Sequence, residues 1–376
     1  MSVTRKADFA FPPFTDDEHQ GGNSRTWLKP VGIVAKTREC LEAGFHPLAD
    51  GPFAFSHLDV IQSGKGSEIT ITRIEAGRLL KEAGAGGDAS EEQARAQLQK
   101  LTEPREDFAG LSMKAWHVMG IINTTPDSFS DGGDHAEAEI ALASARQMVM
   151  DGARILDVGG ESTRPGADEV SRDEERRRIL PVIRTLAGEG VCVSADTRHT
   201  EIMADALAAG ARIINDVGGL RAEGAVELVA RSNAPAILMH MQGEPGTMQA
   251  KPQYSYAPTD IFDWLEDRIN TAVKSGIPKR NLAVDPGFGF GKTPIHNMEI
   301  MANLSLFHGL GVPVVLGVSR KSTIAHFSNN EPAKQRQPGS TALAALARAQ
   351  GVQIFRVHDV PETMQALANA EAMLGI

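Results

Sequence analysis

The chain has 376 residues, 41% of them hydrophobic, two cysteines and a formal net charge of -10. That length and apolar content suffice for a large buried core and exclude an intrinsically disordered chain, while the acidic balance excludes a general nucleic-acid-binding surface, which needs clustered Lys and Arg. Cys40 and Cys192 lie far apart with no CxxC pair, so neither a zinc site nor a disulfide framework is expected, and a reducing cytoplasm fits.

The first thirty residues carry prolines and acidic residues where a secretory signal needs an apolar stretch. No later segment offers the roughly 20 consecutive apolar residues of a membrane span. A soluble protein is expected. Residues 1–112 read as a small α/β or α+β extension, with a strand in WLKPVGIV, a helix in AKTRECLEAG, a mixed stretch FAFSHLDVIQSG, a strand EITITRI, a loop GAGGD and a helix SEEQARAQLQKL. The extension offers no nucleotide loop, metal-ligand cluster or catalytic constellation, so a structural or oligomerisation role is expected of it.

Residues 113–376 have another rhythm. Short runs rich in Val, Ile and Leu (WHVMGIINTT, RILDVGGES, VCVSADT, RIINDV, PAILMHM, LAVDPGF, PVVLGVSR, IFRVHDV) alternate with longer stretches of helical spacing, one of them IHNMEIMANLSLFHGLG. Eight such units predict an α/β fold of the (β/α)8 barrel type rather than an open sheet. Gly152, Gly190, Gly210, Gly276, Gly311 and Gly351 end helical stretches, as left-handed C-terminal residues do. Asn123, Asp157, Asp196, Asn215, His240, Asp285, Ser319 and His358 fall at or just beyond the carboxyl ends of the strands. In a barrel those ends share one mouth, where active sites lie.

Several motifs at this mouth carry chemistry. In GIINTTPDSFSDGG, Asn123 and Asp127 offer oxygens suited to a hard cation such as Mg2+. In DVGGESTRPGA, the amides of Gly159 and Gly160 with Arg164 are suited to an anion. DPGFGFGKT fails as a phosphate loop, because the spacing needs glycine at Pro286, which makes ATP and NAD poor candidates. Phe288 and Phe290 are instead suited to stacking on flat rings, and Asp285 to accepting from an amino-substituted heterocycle. GVSRKS and RVHDV bring Arg320, Lys321, Arg356 and His358, cations suited to a diphosphate as it leaves, although Arg320 is equally suited to pairing with an internal carboxylate. Asp196 and Asn215, deep in the barrel, need a donor-rich partner such as a pterin ring.

From residue 116 to 376 the ordered motifs GIINTTPDSFSDGG, DVGGESTRPGA, SADT, INDV, LMHMQGEPGTMQ, DPGFGFGKT, GVSRKS and RVHDV closely resemble the dihydropteroate synthase family. The resemblance implies a transferase of alkyl or aryl groups in folate biosynthesis, which joins 6-hydroxymethyl-7,8-dihydropterin diphosphate to p-aminobenzoate with Mg2+ present. It implies pterin contacts from Asp196, Asn215, Asp285 and Lys321, with Met239 packing nearby, and a diphosphate and metal site from Asn123, Arg356 and His358. Thr163, Arg164, Pro165, Phe290, Lys321 and Ser322 would form the p-aminobenzoate side, where sulfonamides bind in this family. The implied reaction is dissociative: diphosphate leaves the pterin methylene, the site holds the cation, and the arylamine attacks it. Both readings together make Asn123, Asp127, Asp157, Arg164, Lys321, Arg356 and His358 the expected catalytic set, add Gly317 and Ser319 to the substrate contacts, and give Asn123 as the metal ligand. The family also suggests a homodimer. Thr124 stands where valine is frequent in the family, with little consequence expected. The extension lacks pyrophosphokinase motifs, so no second activity is expected. Two other readings compete: a methyltetrahydrofolate-dependent methyltransferase, which has no use for a diphosphate site, and a non-catalytic barrel subunit.

Overall fold

The computed structural model describes residues 4–6, 25–63, 69–82, 89–124, 134–161, 170–244 and 246–376. Its first part is a sheet of five strands: β1 (Thr4–Lys6), β2 (Thr26–Ala35), β3 (His46–Leu48), β4 (Phe53–Ser63) and β5 (Ile69–Glu75). The path is β1-β5-β4-β2, with β3 also on β4; β4 runs antiparallel to β2, β3 and β5. The mixed stretch is thus one eleven-residue strand. The helix expected in AKTRECLEAG shrinks to α1 (Arg38–Glu42), capped by Thr37 and Cys40, and α2 (Ala76–Glu82) and α3 (Ala89–Thr102) complete this part. The GAGGD loop lies outside the described residues.

Helix α3 packs Ala94, Leu98 and Leu101 against Leu28, Phe53, Phe55 and Leu58 of the sheet. Trp27, Ile61 and Ile69 instead join the core of the second part, so the sheet is buried between its own helices and the barrel. The edge of β2 is covered from both sides. The Gln97 amide accepts from Leu28 N and donates to Thr26 O, and the Ser305 hydroxyl donates to Pro30 O at 2.8 Å. Such cover keeps an edge strand from pairing with another chain.

The second part alternates strand and helix: β6 (His117–Asn123), α4 (Asp134–Met150), β7 (Ile155–Gly159), α5 (Arg172–Gly188), β8 (Val193–Asp196), α6 (Thr200–Ala208), β9 (Ile213–Asp216), α7 (Ala225–Ser232), β10 (Ala236–Met239) and α8 (Ala257–Lys274). It continues with β11 (Leu282–Asp285), α9 (Pro294–Ala302), β12 (Val315–Leu316), α10 (Ser322–His326), α11 (Gln337–Arg348), β13 (Ile354–Val357) and α12 (Val360–Leu374). All eight strands are parallel, in the order β11-β10-β9-β8-β7-β6-β13-β12, and a bridge between Val284 and Val314 brings the two ends together into a nearly closed (β/α)8 barrel. The six glycines read as helix stops all have φ between 75° and 110°.

IHNMEIMANLSLFHGLG is not one helix. It breaks at Asn303, whose amide donates to Glu299 O and the Tyr256 hydroxyl, and resumes as a 3-10 helix over Leu304–Leu310. The barrel floor is apolar. Met119, Ile155, Ile213, Ile237, Ala283, Val315 and Ile354 point inward there, closed from below by Phe108 and Met113.

Charged groups tie the N-terminal sheet and α3 to the barrel. Trp27 Nε1 donates to Asp263 at 2.6 Å, and Arg25 and Lys100 both pair with Glu266 on α8. Arg105, 6% exposed, donates to the carbonyls of Lys100, Glu103 and His308 at 2.8 Å each, clamping the end of α3 to the 3-10 helix. Burial without a paired carboxylate pulls its pKa down to about 10, a sign that the guanidinium is held at a cost. Arg105→Ala relieves that cost but strands buried acceptors. The expected net loss is about 2 kcal/mol, read as a lower urea midpoint at unchanged slope; a midpoint equal to that of the parent would show that the clamp contributes nothing.

Candidate active site

The carboxyl ends of the strands form the mouth, and its centre is one guanidinium. Arg356 on β13 donates through Nε to Asp157 Oδ2 and through Nη2 to Asp196 Oδ2, both at 2.6 Å. Asn215 on β9 donates to the same Asp157 oxygen at 3.0 Å. Asp157 is fully buried, and its Oδ1 has no hydrogen-bond partner among the described residues. Asp285 on β11 accepts from Gly287 N at 2.7 Å, and Gly317 lies over its other oxygen, 3.7 Å from where a Cβ would stand.

Three carboxylates, Asp157 and Asp285 buried and Asp196 half-buried, thus face one guanidinium. Burial, and then the neighbouring charge of Asp157, push Asp196 up to about 7 even though Arg356 opposes the shift. Burial alone would lower Arg356, yet Asp157 and Asp196 hold it above its ordinary value. The two directions agree once charges are counted: the guanidinium stays ionised, and the excess carboxylate takes up a proton near neutral pH. Asp285 is likewise raised by burial, against Gly287 N and the charges of Lys321 and Arg356. This is a polar pocket waiting for donors.

At one side of the mouth Lys321, the N-cap of α10, places Nζ 3.8 Å from the centre of the Phe290 ring. Phe290 packs with Val217, Met239, Met241 and Met248, and Ser322 opens α10 beside Lys321. At the other side, Ser319 Oγ accepts from His358 N and lies 3.0 Å from His358 Nδ1. Asn123 ends β6 half-buried beside Gly159, the end of β7. Asp127, Thr163, Arg164 and Pro165 lie outside the described residues.

Some expectations change. Phe288 does not line the mouth; it is 1% exposed, inside the barrel core. For Arg320, at φ 59°, the second of its two expected roles holds: it makes a two-pronged pair with the carboxylate of Asp359. A Cβ at Gly160 would stand 2.8 Å from Ile179, so this glycine serves the approach of α5 to β7. His240 packs edge-on against Trp264 and bonds Lys292, behind the pocket rather than in it. Asp216 holds a turn through Gly218 N and Leu220 N. Thr124 does more than adjoin its loop, since its hydroxyl donates to Gly159 O and ties the ends of β6 and β7. Sequence reasoning passed over Lys292, although a lysine amid the glycines and phenylalanines of GFGFGK was the available signal.

Fold and site together define a (β/α)8-barrel enzyme whose mouth offers acceptors to a flat, donor-rich ring and cations to an anion. The model of the family described as "Pterin binding enzyme" matches residues 119–358. Dihydropteroate synthase of Escherichia coli (strain K12) is 46% identical over 259 residues, 69% of this chain and 92% of that protein. A structure titled as the Xanthomonas albilineans dihydropteroate synthase with 4-aminobenzoic acid superposes with TM-score 0.68 at 44% identity, covering 73% of this chain and 99% of that one. Another, of the same enzyme in complex with 7,8-dihydropteroate, gives 0.66 at 42% identity, covering 73% and 100%. The chain belongs to the dihydropteroate synthase family.

Proposed function

We propose that the chain condenses 6-hydroxymethyl-7,8-dihydropterin diphosphate with p-aminobenzoate, giving 7,8-dihydropteroate and diphosphate. The observation that carries this is the cluster in which the half-buried Arg356 donates to Asp157 and Asp196 and Asn215 donates to Asp157, with Asp285 beside it: acceptors for the ring N–H groups of a pterin sit next to cations for its diphosphate. Incubating the purified chain with the pterin diphosphate and labelled p-aminobenzoate should yield labelled dihydropteroate; no labelled product would refute the proposal.

Asp196, Asn215 and Asp285 orient the pterin, with Met239 packing on its face. Arg356 uses two of its N–H donors on carboxylates, which leaves further donors of its fork for the diphosphate, together with His358. Arg164 adds a second guanidinium for the diphosphate, and Asp127 a carboxylate suited to Mg2+. Phe290, Lys321 and Ser322, with Thr163 and Pro165, receive p-aminobenzoate. No strong base is needed, because an arylamine attacks a cation once diphosphate has left; the protein contributes by stabilising the leaving anion and excluding water.

Mg2+ fits the donor set. This ion takes one or two protein oxygens and fills its octahedron with phosphate and water, and Asn123 puts a neutral amide at the mouth end of β6. When bound there, the metal would neutralise charge on the diphosphate. The same reading extends to a homodimer and a cytoplasmic location. Among the described residues, no helix is long and apolar enough to cross a membrane.

One pH effect follows. An ionised Asp196 accepts from a ring N–H more strongly than a protonated one, and its pKa lies at about 7. Affinity for 6-hydroxymethyl-7,8-dihydropterin, which lacks the titrating diphosphate, should fall towards tenfold per unit as pH drops below 7. Asp196→Asn should flatten this dependence. Equal calorimetric affinities at pH 5.5 and 8 would contradict it.

A further inference from the structure

Residues 286–291 form a ribbon in which glycines alternate with larger residues, and Gly287, Gly289 and Gly291 all have φ between 61° and 86°. The ribbon lies directly on the continuation of β10. A Cβ at Gly287 would stand 1.8 Å from His240 O, and one at Gly291 2.3 Å from Gln242 O. Its polar groups are tied one by one: Gly289 O accepts from Gln249, Gly289 N donates to Asn297, and Gly291 O accepts from the Tyr254 hydroxyl. The remaining tie is the only amine of this set. Lys292, 2% exposed, sends Nζ back to Phe290 O at 2.9 Å, His240 Nδ1 at 2.9 Å and His240 O at 3.3 Å.

Three contacts converge on this one amine. Two are to His240, just past the end of β10, and one is to Phe290, so the lysine staples the ribbon to the barrel at the residue whose ring lies under Lys321. With no carboxylate in ion-pair range among the described residues, burial pulls the Lys292 amine well below its ordinary pKa, and placing it there is expensive for a purely structural purpose, because a methionine of similar shape avoids the desolvation.

We propose that Lys292 is a positioning residue for the arylamine side of the site: by fixing the Phe290 main chain it holds the Phe290 ring under Lys321, where p-aminobenzoate docks. This rests on the proposed function. Fixing such a support sets how well the second substrate is received while leaving the first, held by Asp196, Asn215 and Asp285, nearly undisturbed.

The test is steady-state kinetics of K292M, F290A and the double variant, with pterin affinity and melting temperature measured alongside. K292M should raise KM for p-aminobenzoate about twentyfold, change kcat less than threefold and pterin affinity less than fivefold. K292Q, which keeps a donor, should recover part of the loss. F290A should raise the same KM, and K292M/F290A should be no worse than F290A, because residues acting through one contact are not additive. An unchanged KM in K292M, effects that multiply in the double variant, lost pterin binding, or failure of both K292M and K292Q to fold would each overturn the proposal. A parent chain that makes no dihydropteroate would refute the function itself, a separate outcome.

Discussion

Replacing Arg356 with methionine is expected to lower kcat/KM by about a thousandfold while leaving the chain folded. Arg356 makes two 2.6 Å bonds, one to Asp157 and one to Asp196. Removing one partner from a buried ion pair typically costs about 3–5 kcal/mol, because the other charge is left without compensation. Each 1.36 kcal/mol is about a factor of ten in rate, so a loss of this size taken from transition-state binding gives roughly three orders of magnitude. The site has one escape: Asp196, already raised to about 7, takes up a proton instead. That escape protects the fold at the expense of catalysis, since a protonated Asp196 accepts only weakly from the pterin and the diphosphate has lost a cation. Arg356→Lys should recover little, because an ammonium is not a planar fork and cannot bridge two carboxylates in the same way. Kinetics with a parallel thermal melt decide it; R356M activity within tenfold of the parent would show that the guanidinium is structural.

The second large effect is expected from a single methyl group. In Gly287→Ala the new Cβ would stand 1.8 Å from His240 O and 2.9 Å from its carbonyl carbon, at a φ of 70°. A left-handed backbone costs a non-glycine residue about 1–2 kcal/mol, and the overlap is with backbone, so no rotamer change relieves it. The ribbon must lift off β10. Gly287 N then leaves Asp285 Oδ1, and Asp285 loses the bond that orients it. G287A should therefore lose about 3 kcal/mol of stability together with more than a hundredfold of pterin affinity. Denaturant unfolding and pterin titration read the two separately. A variant with the affinity of the parent would mean that Asp285 is held by something other than this bond.

Both effects depend on contacts that the sequence indicates only in part. The positions of the acids were legible, because a carboxylate just after an apolar strand in an eight-fold strand and helix alternation can only sit at the mouth. What each acid touches was not legible: Arg356 and Asp157 are 199 residues apart, and no local pattern reports a pairing across the barrel. The same limit explains Arg320 and Phe288. Arg320 shares a motif with Lys321 but points the other way because its φ is 59°, and Phe288 and Phe290 differ by which side of a glycine ribbon they leave. A spacing of two suggests one face in a strand, yet this ribbon is no strand. The signal of Lys292 was easy to misread for a further reason, since a lysine usually marks surface and this one is 2% exposed.

The N-terminal part shows the opposite balance. Its strand and helix signals were readable, but its relation to the barrel was not, because that relation rests on Trp27 meeting Asp263, Ser305 meeting Pro30, and Arg105 meeting His308. Phe108 and Met113, close to where the extension was expected to end, are part of the barrel floor.

The two competing readings differ from the proposed one in a single product. A methyltransferase would move a methyl group to an acceptor such as a corrinoid without releasing diphosphate, and a non-catalytic subunit would release nothing. The decisive measurement is diphosphate release from 6-hydroxymethyl-7,8-dihydropterin diphosphate, followed before and after p-aminobenzoate is added. The account predicts release that depends on p-aminobenzoate, matches dihydropteroate one to one and disappears in R356M; no release on addition of p-aminobenzoate, or release without dihydropteroate, would contradict it.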